Sequence, residues 1–218
     1  MVIPTLNEED RIGATIDAAR AAGADEVVVA DGGSTDRTPA TAERHGARVI
    51  RVTGTRAAQL NRGAAIASHE TVIFLHADTH LPPDAAAAAE TAIRDGALFG
   101  GFRLTFLEPG LRLRCVAYMI NARTRMTRAP WGDQAQFVAR RAFLEDGGYR
   151  ELPIMEDYEL ARRMKRTGRT SLLPLTVRTS GRRFLQKGVL RSSALNWLII
   201  ASYHLGVSPQ RLAQWYRG

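Results

Sequence analysis

The sequence contains a single cysteine, Cys115, in 218 residues. One thiol excludes a disulfide scaffold and any zinc site built from thiolates, and it is compatible with a reducing compartment. The segment 111–120 around it reads as a buried helix. Lysine is nearly absent, since 28 of the 30 basic residues are Arg; genomic base composition explains this as readily as a need for bidentate guanidinium forks. Long apolar runs are missing. The most apolar stretch, 194–207, is interrupted by Asn196, Ser202 and His204 and falls short of the roughly 20 residues that cross a bilayer, so no transmembrane helix is expected. The opening Met-Val-Ile-Pro-Thr-Leu has neither the basic start nor the apolar core of a signal peptide, which predicts cytoplasmic synthesis without export. Aromatic residues amount to 7% and are not interleaved with the basic ones, so nucleic acid is not an expected partner. No Gly-x-Gly-x-x-Gly follows the first apolar run and no Gly-Lys-Ser/Thr loop occurs, which removes the usual dinucleotide and P-loop readings.

What remains is a chain that is 45% hydrophobic with a formal charge of +8, enough for one ordinary globular domain over 1–218. Its charge is divided unevenly. Residues 1–100 carry 9 basic and 14 acidic side chains, whereas residues 101–218 carry 21 and 8, making the second half a candidate surface for phosphate or anionic lipid. Neither an internal repeat nor a linker rich in Pro, Gly or Ser separates the halves.

The pattern of the first half alternates strand and helix. Val2-Ile3 opens a strand, Asn7 stands as an N-cap before Glu8, Glu9 and Asp10, and the helix runs to Ala22 with Gly23 as its stop. Val27-Val28-Val29-Ala30 fits a parallel strand covered on both faces. Helices over 38–45 and 56–67 and strands over 47–52 and 71–75 follow. This order predicts a doubly wound, mostly parallel α/β sheet flanked by helices, with Asn7, Asp31 and Asp78 at the carboxyl ends of strands, where such sheets bind ligands. The second half is irregular: an Ala-rich helix ending near Gly96, a strand over 99–106 beside Gly100-Gly101, a helix over 111–126, a Trp131-Gly132-Asp133-Gln134 loop, a strand over 135–139, and a helix over 156–167 closed by Gly168. Both halves are expected to share one sheet.

Four places carry side chains suited to chemistry. Asp31, followed by two glycines, can accept hydrogen bonds from a base or ribose, or else Asp31-Gly32-Gly33 is a plain turn with Ser34 or Asp36 capping the next helix. His76 and Asp78 project from the same side of an extended chain and suit a divalent cation held against a diphosphate; the bland reading is a capped loop with surface histidines. Glu156-Asp157 begins a helix, where acids are stabilising in any case, and one of them is placed to take a proton from a hydroxyl. Arg182-Arg183 offers guanidinium forks for phosphate.

Taken in order, Val2-Ile3-Pro4-Thr5-Leu6-Asn7-Glu8-Glu9, Asp31-Gly32-Gly33-Ser34-Thr35-Asp36, Phe74-Leu75-His76-Ala77-Asp78 and Glu156-Asp157-Tyr158-Glu159-Leu160 resemble the motifs of the family 2 glycosyltransferases over nearly the whole chain. The closing segments Gly188-Val189-Leu190-Arg191 and Leu205-Gly206-Val207-Ser208-Pro209 resemble a compact bacterial subgroup often encoded beside radical-SAM proteins. The resemblance implies a GT-A fold, with residues 1–100 as a nucleotide-binding half and 101–218 as an acceptor-side half bearing C-terminal helices. It further implies a nucleotide-diphosphate sugar donor, a divalent cation (Mn²⁺ or Mg²⁺) and inverting transfer to an acceptor hydroxyl.

Matched residue by residue, Pro4, Thr5, Asn7, Glu8, Asp31, Arg56, Asn61 and Asp78 fall on the donor side and Asp157 on the catalytic base. Trp131, Gly132, Asp133, Gln134 and Glu156 fall on the acceptor side, and Arg182 and Arg183 at the diphosphate. His76 stands where the family pattern has an acid, which shifts the expected metal pair, Asp78 and His76, toward Mn²⁺ or softer ions. Two other readings stay in play: a non-catalytic nucleotide-sugar binding or scaffold protein, and a nucleotidyltransferase on a related sheet. Trp197, Leu198, Ile199, Ile200 and Tyr203, flanked by Lys187, Arg191 and Arg211, form either a helix packed on the domain or a face for an anionic membrane and a lipid-linked acceptor. The expected location is the cytoplasm, with peripheral contact at the inner membrane face in the second case.

Overall fold

The computed structural model describes residues 1–217. In chain order its elements are β1 (Val2–Thr5), α1 (Glu9–Ala21), β2 (Val28–Asp31), α2 (Thr38–Arg44), β3 (Arg48–Arg51), α3 (Arg56–Ile66), β4 (Thr71–Ile73), β5 (Thr79–His80), α4 (Ala85–Arg94) and β6 (Ala97–Phe106). There follow α5 (Leu111–Thr127), a 3₁₀ turn (Gly132–Gln134), β7 (Phe137–Ala139), α6 (Arg140–Glu145), α7 (Glu156–Thr167), β8 (Arg169–Thr179), α8 (Arg182–Lys187), α9 (Val189–His204) and α10 (Pro209–Arg217).

β1, β2 and β3 pair in parallel, with Val2 opposite Val28 and Val28 opposite Arg48. A parallel bridge between Val2 and Phe74, with the Leu75 N–H donating to the Val2 carbonyl at 3.0 Å, joins this ladder to the five strands ordered β4-β7-β6-β8-β5. The strands therefore run in the order β3-β2-β1-β4-β7-β6-β8-β5, with β7 and β5 antiparallel to their neighbours. The two-residue period of the strands divides the core. Ile3, Val29, Ile73, Leu75, Phe102 and Phe137 face α1, α4 and α5, while Val2, Val28, Val72, Phe74, Phe99 and Val138 face α3, α6 and α7. A third, smaller cluster of Met155, Ile199 and Leu212 seats α9 and α10 against the start of α7.

Two local expectations are corrected and one strand is added. Asn7 is not a helix cap: it has a positive φ of 55°, and its Oδ1 accepts the Thr35 N–H at 2.9 Å, tying the loop after β1 to the loop after β2. The helix around Cys115 forms, but Cys115 is exposed. α5 buries only a narrow stripe of Leu113, Val116, Ala117 and Thr124, packing chiefly on β6 and α9, and about half of its residues, Cys115 among them, are exposed. Finally, β8 is an additional long strand beside β6. Pro174 interrupts its pattern, and a proline inside an apolar run argues against a paired strand. The ladder absorbs it by a register shift, Phe102 lying opposite Leu173 and Arg103 opposite Thr176.

β8 matters to the site because β5 pairs with its end, Thr79 opposite Thr179 with their hydroxyls 2.8 Å apart. That pairing fixes the loop after β4, and with it Asp78, beside Ser180, Gly181 and Arg182.

Candidate active site

The carboxyl ends of β1 and β2 form a buried polar ledge. Asp31 is 1% exposed and its Oδ2 accepts the N–H groups of Gly33 and Ser34, each at 3.0 Å, while Oδ1 accepts the hydroxyl of Ser34 and, at 3.5 Å, that of Thr5. The turn and the ledge are thus one construction, in which Asp31 shapes the loop. Thr5 and Pro4 are buried in β1, and the Thr5 carbonyl accepts from the Gly32 N–H at 2.9 Å and from the Gln59 amide at 3.2 Å. Glu8, at the rim, holds Arg11 through Oε2 and Arg182 through Oε1, both at 3.2 Å.

Arg182 links the ledge to the loop after β4, its Nη2 lying 3.6 Å from Asp78 Oδ2. Burial raises the Asp78 carboxyl above its ordinary pKa against the opposing pull of Arg182. Arg183 turns the other way: its guanidinium stacks 3.4 Å from the centroid of the Tyr216 ring, fastening α8 to α10, and burial lowers its pKa. The sequence pair therefore divides, one Arg toward the polar ledge and one toward the C-terminal helices.

Beyond Asp78 the cleft deepens into a cavity of about 500 Å³ lined by Arg56, His76, Asp78, Arg123, Trp131, Asp133, Glu156, Asp157, Arg182 and Arg183, with apolar walls from α5 and α9. Glu156 is buried and ion-pairs with Arg56, whose Nε and Nη2 approach Oε1 at 2.6 and 2.5 Å. Asp157, next on the helix, points elsewhere: its Oδ2 accepts the Gly132 N–H at 2.7 Å. Met155, immediately before, has a φ of 71°, a conformation costly for a non-glycine residue and characteristic of sites held by their surroundings.

The Trp131 ring lies under the Arg123 guanidinium at 3.4 Å. Buried Trp131 Nε1, Arg123 Nε and Nη1, and Asp133 Oδ1 have no protein partner. Burial raises the Asp133 carboxyl to about 6, with Arg123 opposing, and lowers Arg123 to about 10. Unpartnered polar atoms around a cavity are the condition in which a ligand supplies the missing hydrogen bonds.

Other expected site residues serve the scaffold. Asn61 clamps α3 to the chain at Tyr149 through two hydrogen bonds of 2.7 and 2.8 Å and does not line the cavity. Gln134 is buried; its Oε1 accepts from Thr124 and Arg123 at 2.7 and 3.0 Å and its amide donates to the Phe102 carbonyl at 3.0 Å, so it anchors the loop that presents Trp131 and Asp133. Arg123 escaped the sequence reading, since an Arg on an Arg-rich helix carries no distinguishing signal.

For a divalent cation the donor set is small. Among the described residues no group of three His, Cys, Asp or Glu side chains converges. His76 Nε2 accepts from Arg56 Nη1 at 3.2 Å, and burial with the Arg56 charge lowers His76 to about 3. Asp78 supplies one hard oxygen, so the residues fit a cation only when ligand phosphate oxygens complete its shell.

The sheet order, the ledge at the strand ends and the adjoining cavity define an α/β protein of the GT-A glycosyltransferase fold. The profile of Glycosyl transferase family 2 matches residues 1–191, and the chain belongs to that family. No curated protein sequence matches it. Among solved structures, S. aureus TarS 1-349 superimposes with a TM-score of 0.65 at 19% identity, over 82% of this chain and 59% of that one. A longer S. aureus TarS chain gives 0.66 at 18%, with 36% of its length covered. Glucosyl-3-phosphoglycerate synthase from Mycobacterium tuberculosis, solved in complex with Mn²⁺, uridine diphosphate and glucosyl-3-phosphoglycerate, gives 0.56 at 23%, over 80% of this chain and 68% of that one. At these identities the likeness concerns the fold, and the chain spans only part of each relative.

Proposed function

We propose that this chain transfers a sugar from a nucleotide-diphosphate donor to an acceptor hydroxyl with inversion, Asp157 acting as the general base. The observation that carries the proposal is the convergence of Asp78, Arg182 and Asp157 around one cleft at the carboxyl ends of the strands, with unpartnered polar atoms on its far side. In this reading the nucleoside lies on the ledge of Thr5, Asn7 and Asp31, and the diphosphate reaches Arg182 and Asp78. A divalent cation bound by Asp78 and phosphate oxygens would stabilise negative charge on the departing diphosphate. His76 joins that shell only if Arg56 releases its Nε2. The Arg182 fork, already beside Asp78, stabilises the same charge.

The acceptor oxygen attacks the anomeric carbon as its proton passes to Asp157, and the electron pair of the breaking carbon–oxygen bond leaves with the diphosphate. One base suffices for inversion; retention by double displacement would require a second, nucleophilic group. Trp131, Arg123 and Asp133 hold the acceptor, and Gly132 holds Asp157 through its N–H. The closing segments support placement in the compact bacterial subgroup, working in the cytoplasm. Asp157→Asn tests the assignment: transfer from labelled nucleotide sugars is expected to disappear while nucleotide binding persists, and undiminished turnover would overturn it.

A further inference from the structure

The cavity continues past Asp157 between α5 and α9, where its walls are Val116, Ile120, Ile199 and Ile200, and it reaches the surface at Met119 and Trp197, which are 46% and 55% exposed. Of the twelve exposed large hydrophobic side chains among the described residues, ten lie on α5 or within 182–217. Leu190, Leu205 and Met126 are the most open of the twelve, at 85%, 84% and 84%. The same two segments contain no Asp or Glu, and of their Arg residues Arg112, Arg114, Arg125, Arg191 and Arg211 are exposed, whereas Arg123, Arg182 and Arg183 are engaged at the cavity and on α10. Apolar surface concentrated on one face, studded only with positive charge, matches the interfacial region of an anionic bilayer. No described helix is long and apolar enough to cross one, so the match is to its surface.

We propose that the acceptor is a membrane lipid, an apolar-tailed alcohol whose hydroxyl reaches Asp157 while its chain lies between α5 and α9, and that this face seats the protein on an anionic membrane. The proposal rests on the glycosyltransferase reading for the hydroxyl and on the surface alone for the docking. The apolar slot leads the tail outward at Met119 and Trp197. The reacting head stays with Trp131 and Asp133, where the unpartnered N–H and carboxylate atoms take up its polar groups. The distribution of charge places the cationic residues toward the lipid phosphates and leaves the acidic donor half toward water.

Flotation with phosphatidylcholine vesicles, with and without phosphatidylglycerol, tests the docking. Wild-type protein is expected to float with the phosphatidylglycerol vesicles and to lose roughly tenfold in binding when phosphatidylglycerol is omitted or salt is raised. Leu190→Asp with Leu198→Asp, both outside the cavity lining, is expected to stay with the dense fraction while keeping its unfolding temperature and its response to nucleotides. Titration with farnesol against propanol tests the slot, the long-chain alcohol alone shifting the tryptophan emission. Protein that never floats, a double variant that floats like wild type, or a slot that does not distinguish the two alcohols overturns the proposal. A concentration-dependent dimer abolished by the double variant, without flotation, would assign the face to a second copy and overturn it too. Loss of nucleotide binding in the wild type would strike the transferase reading while leaving the flotation result to judge the surface.

Discussion

Neighbouring acids in this chain have different tasks because their hydrogen-bond partners differ. Both line the cavity, but Glu156 neutralises Arg56 whereas Asp157 is oriented by the Gly132 N–H. With Asp157 as the proposed base, its removal is expected to lower turnover by about 10²–10⁴-fold, so Asp157→Asn should show this loss in kcat with nucleotide affinity unchanged by calorimetry. Asp133, raised to about 6 by burial, gains its charge as the pH rises through that value. If its carboxylate holds the acceptor, kcat/KM for the acceptor should climb across the same interval, and Asp133→Asn should flatten the climb. The two shifted groups act oppositely on stability. Asp133 contributes most below its ordinary 3.8, and that contribution is lost as the pH rises through about 6. His76 contributes fully above 6.5 and loses its contribution as the pH falls toward about 3. Thermal unfolding followed between 6.5 and 3 should therefore fall less steeply in His76→Gln than in the wild type.

At the scale of elements, the site depends on contacts between segments distant in sequence. The Arg56–Glu156 pair joins the start of α3 to the start of α7, with side-chain exposures of 41% and 7%. Glu156→Gln strands the guanidinium, and because Arg56 retains access to water the expected cost is about 1–2 kcal/mol, below the range for fully buried pairs. Differential scanning calorimetry should show a drop of a few degrees. Gly100 sits in β6 where an added Cβ would come within 2.2 Å of the Phe137 ring and 2.3 Å of the Ser171 carbonyl. Gly100→Ala should accordingly cost at least about 1–3 kcal/mol by forcing apart β6, β7 and β8.

The helices and strands of the first half were legible because a run such as Val27-Val28-Val29-Ala30 and the break at Gly23 each carry a local signal. β8 was not legible, since Pro174 breaks its pattern and its pairing with β6 is tolerated only by a register shift that nothing nearby in sequence announces. The side chains at the ends of β1, β2 and β4 were legible as a group. What divides Arg182 from Arg183, or assigns Asn61 to a clamp, is the packing of α8 on α10 and of α3 on the Tyr149 loop.

For the molecule as a whole, ligand binding offers the most direct test of the proposed nucleotide site. A nucleotide at 100 times its dissociation constant adds about 2.7 kcal/mol, which for a chain of this length is a shift of roughly 5 to 10 °C. With a single carboxylate at Asp78, Mn²⁺ alone should move the unfolding temperature little, whereas Mn²⁺ with the matching nucleoside diphosphate should move it more than the nucleotide alone. Comparing uridine, guanosine and adenosine diphosphates identifies the base. Equal shifts with and without cation would point to Arg182 as the sole counter-charge to the diphosphate.

The sequence by itself determined the layered α/β architecture and the family, because strand and helix periodicities and four ordered motifs are local properties of the chain. Only the tertiary structure decided which acid is tied up with Arg56 and which is held by the Gly132 N–H, that Arg123 and Trp131 complete the cavity wall, and that α5 leaves most of its surface uncovered. Each of these depends on which distant element lies opposite a side chain, and periodicity gives the direction of a side chain but not the neighbour it meets.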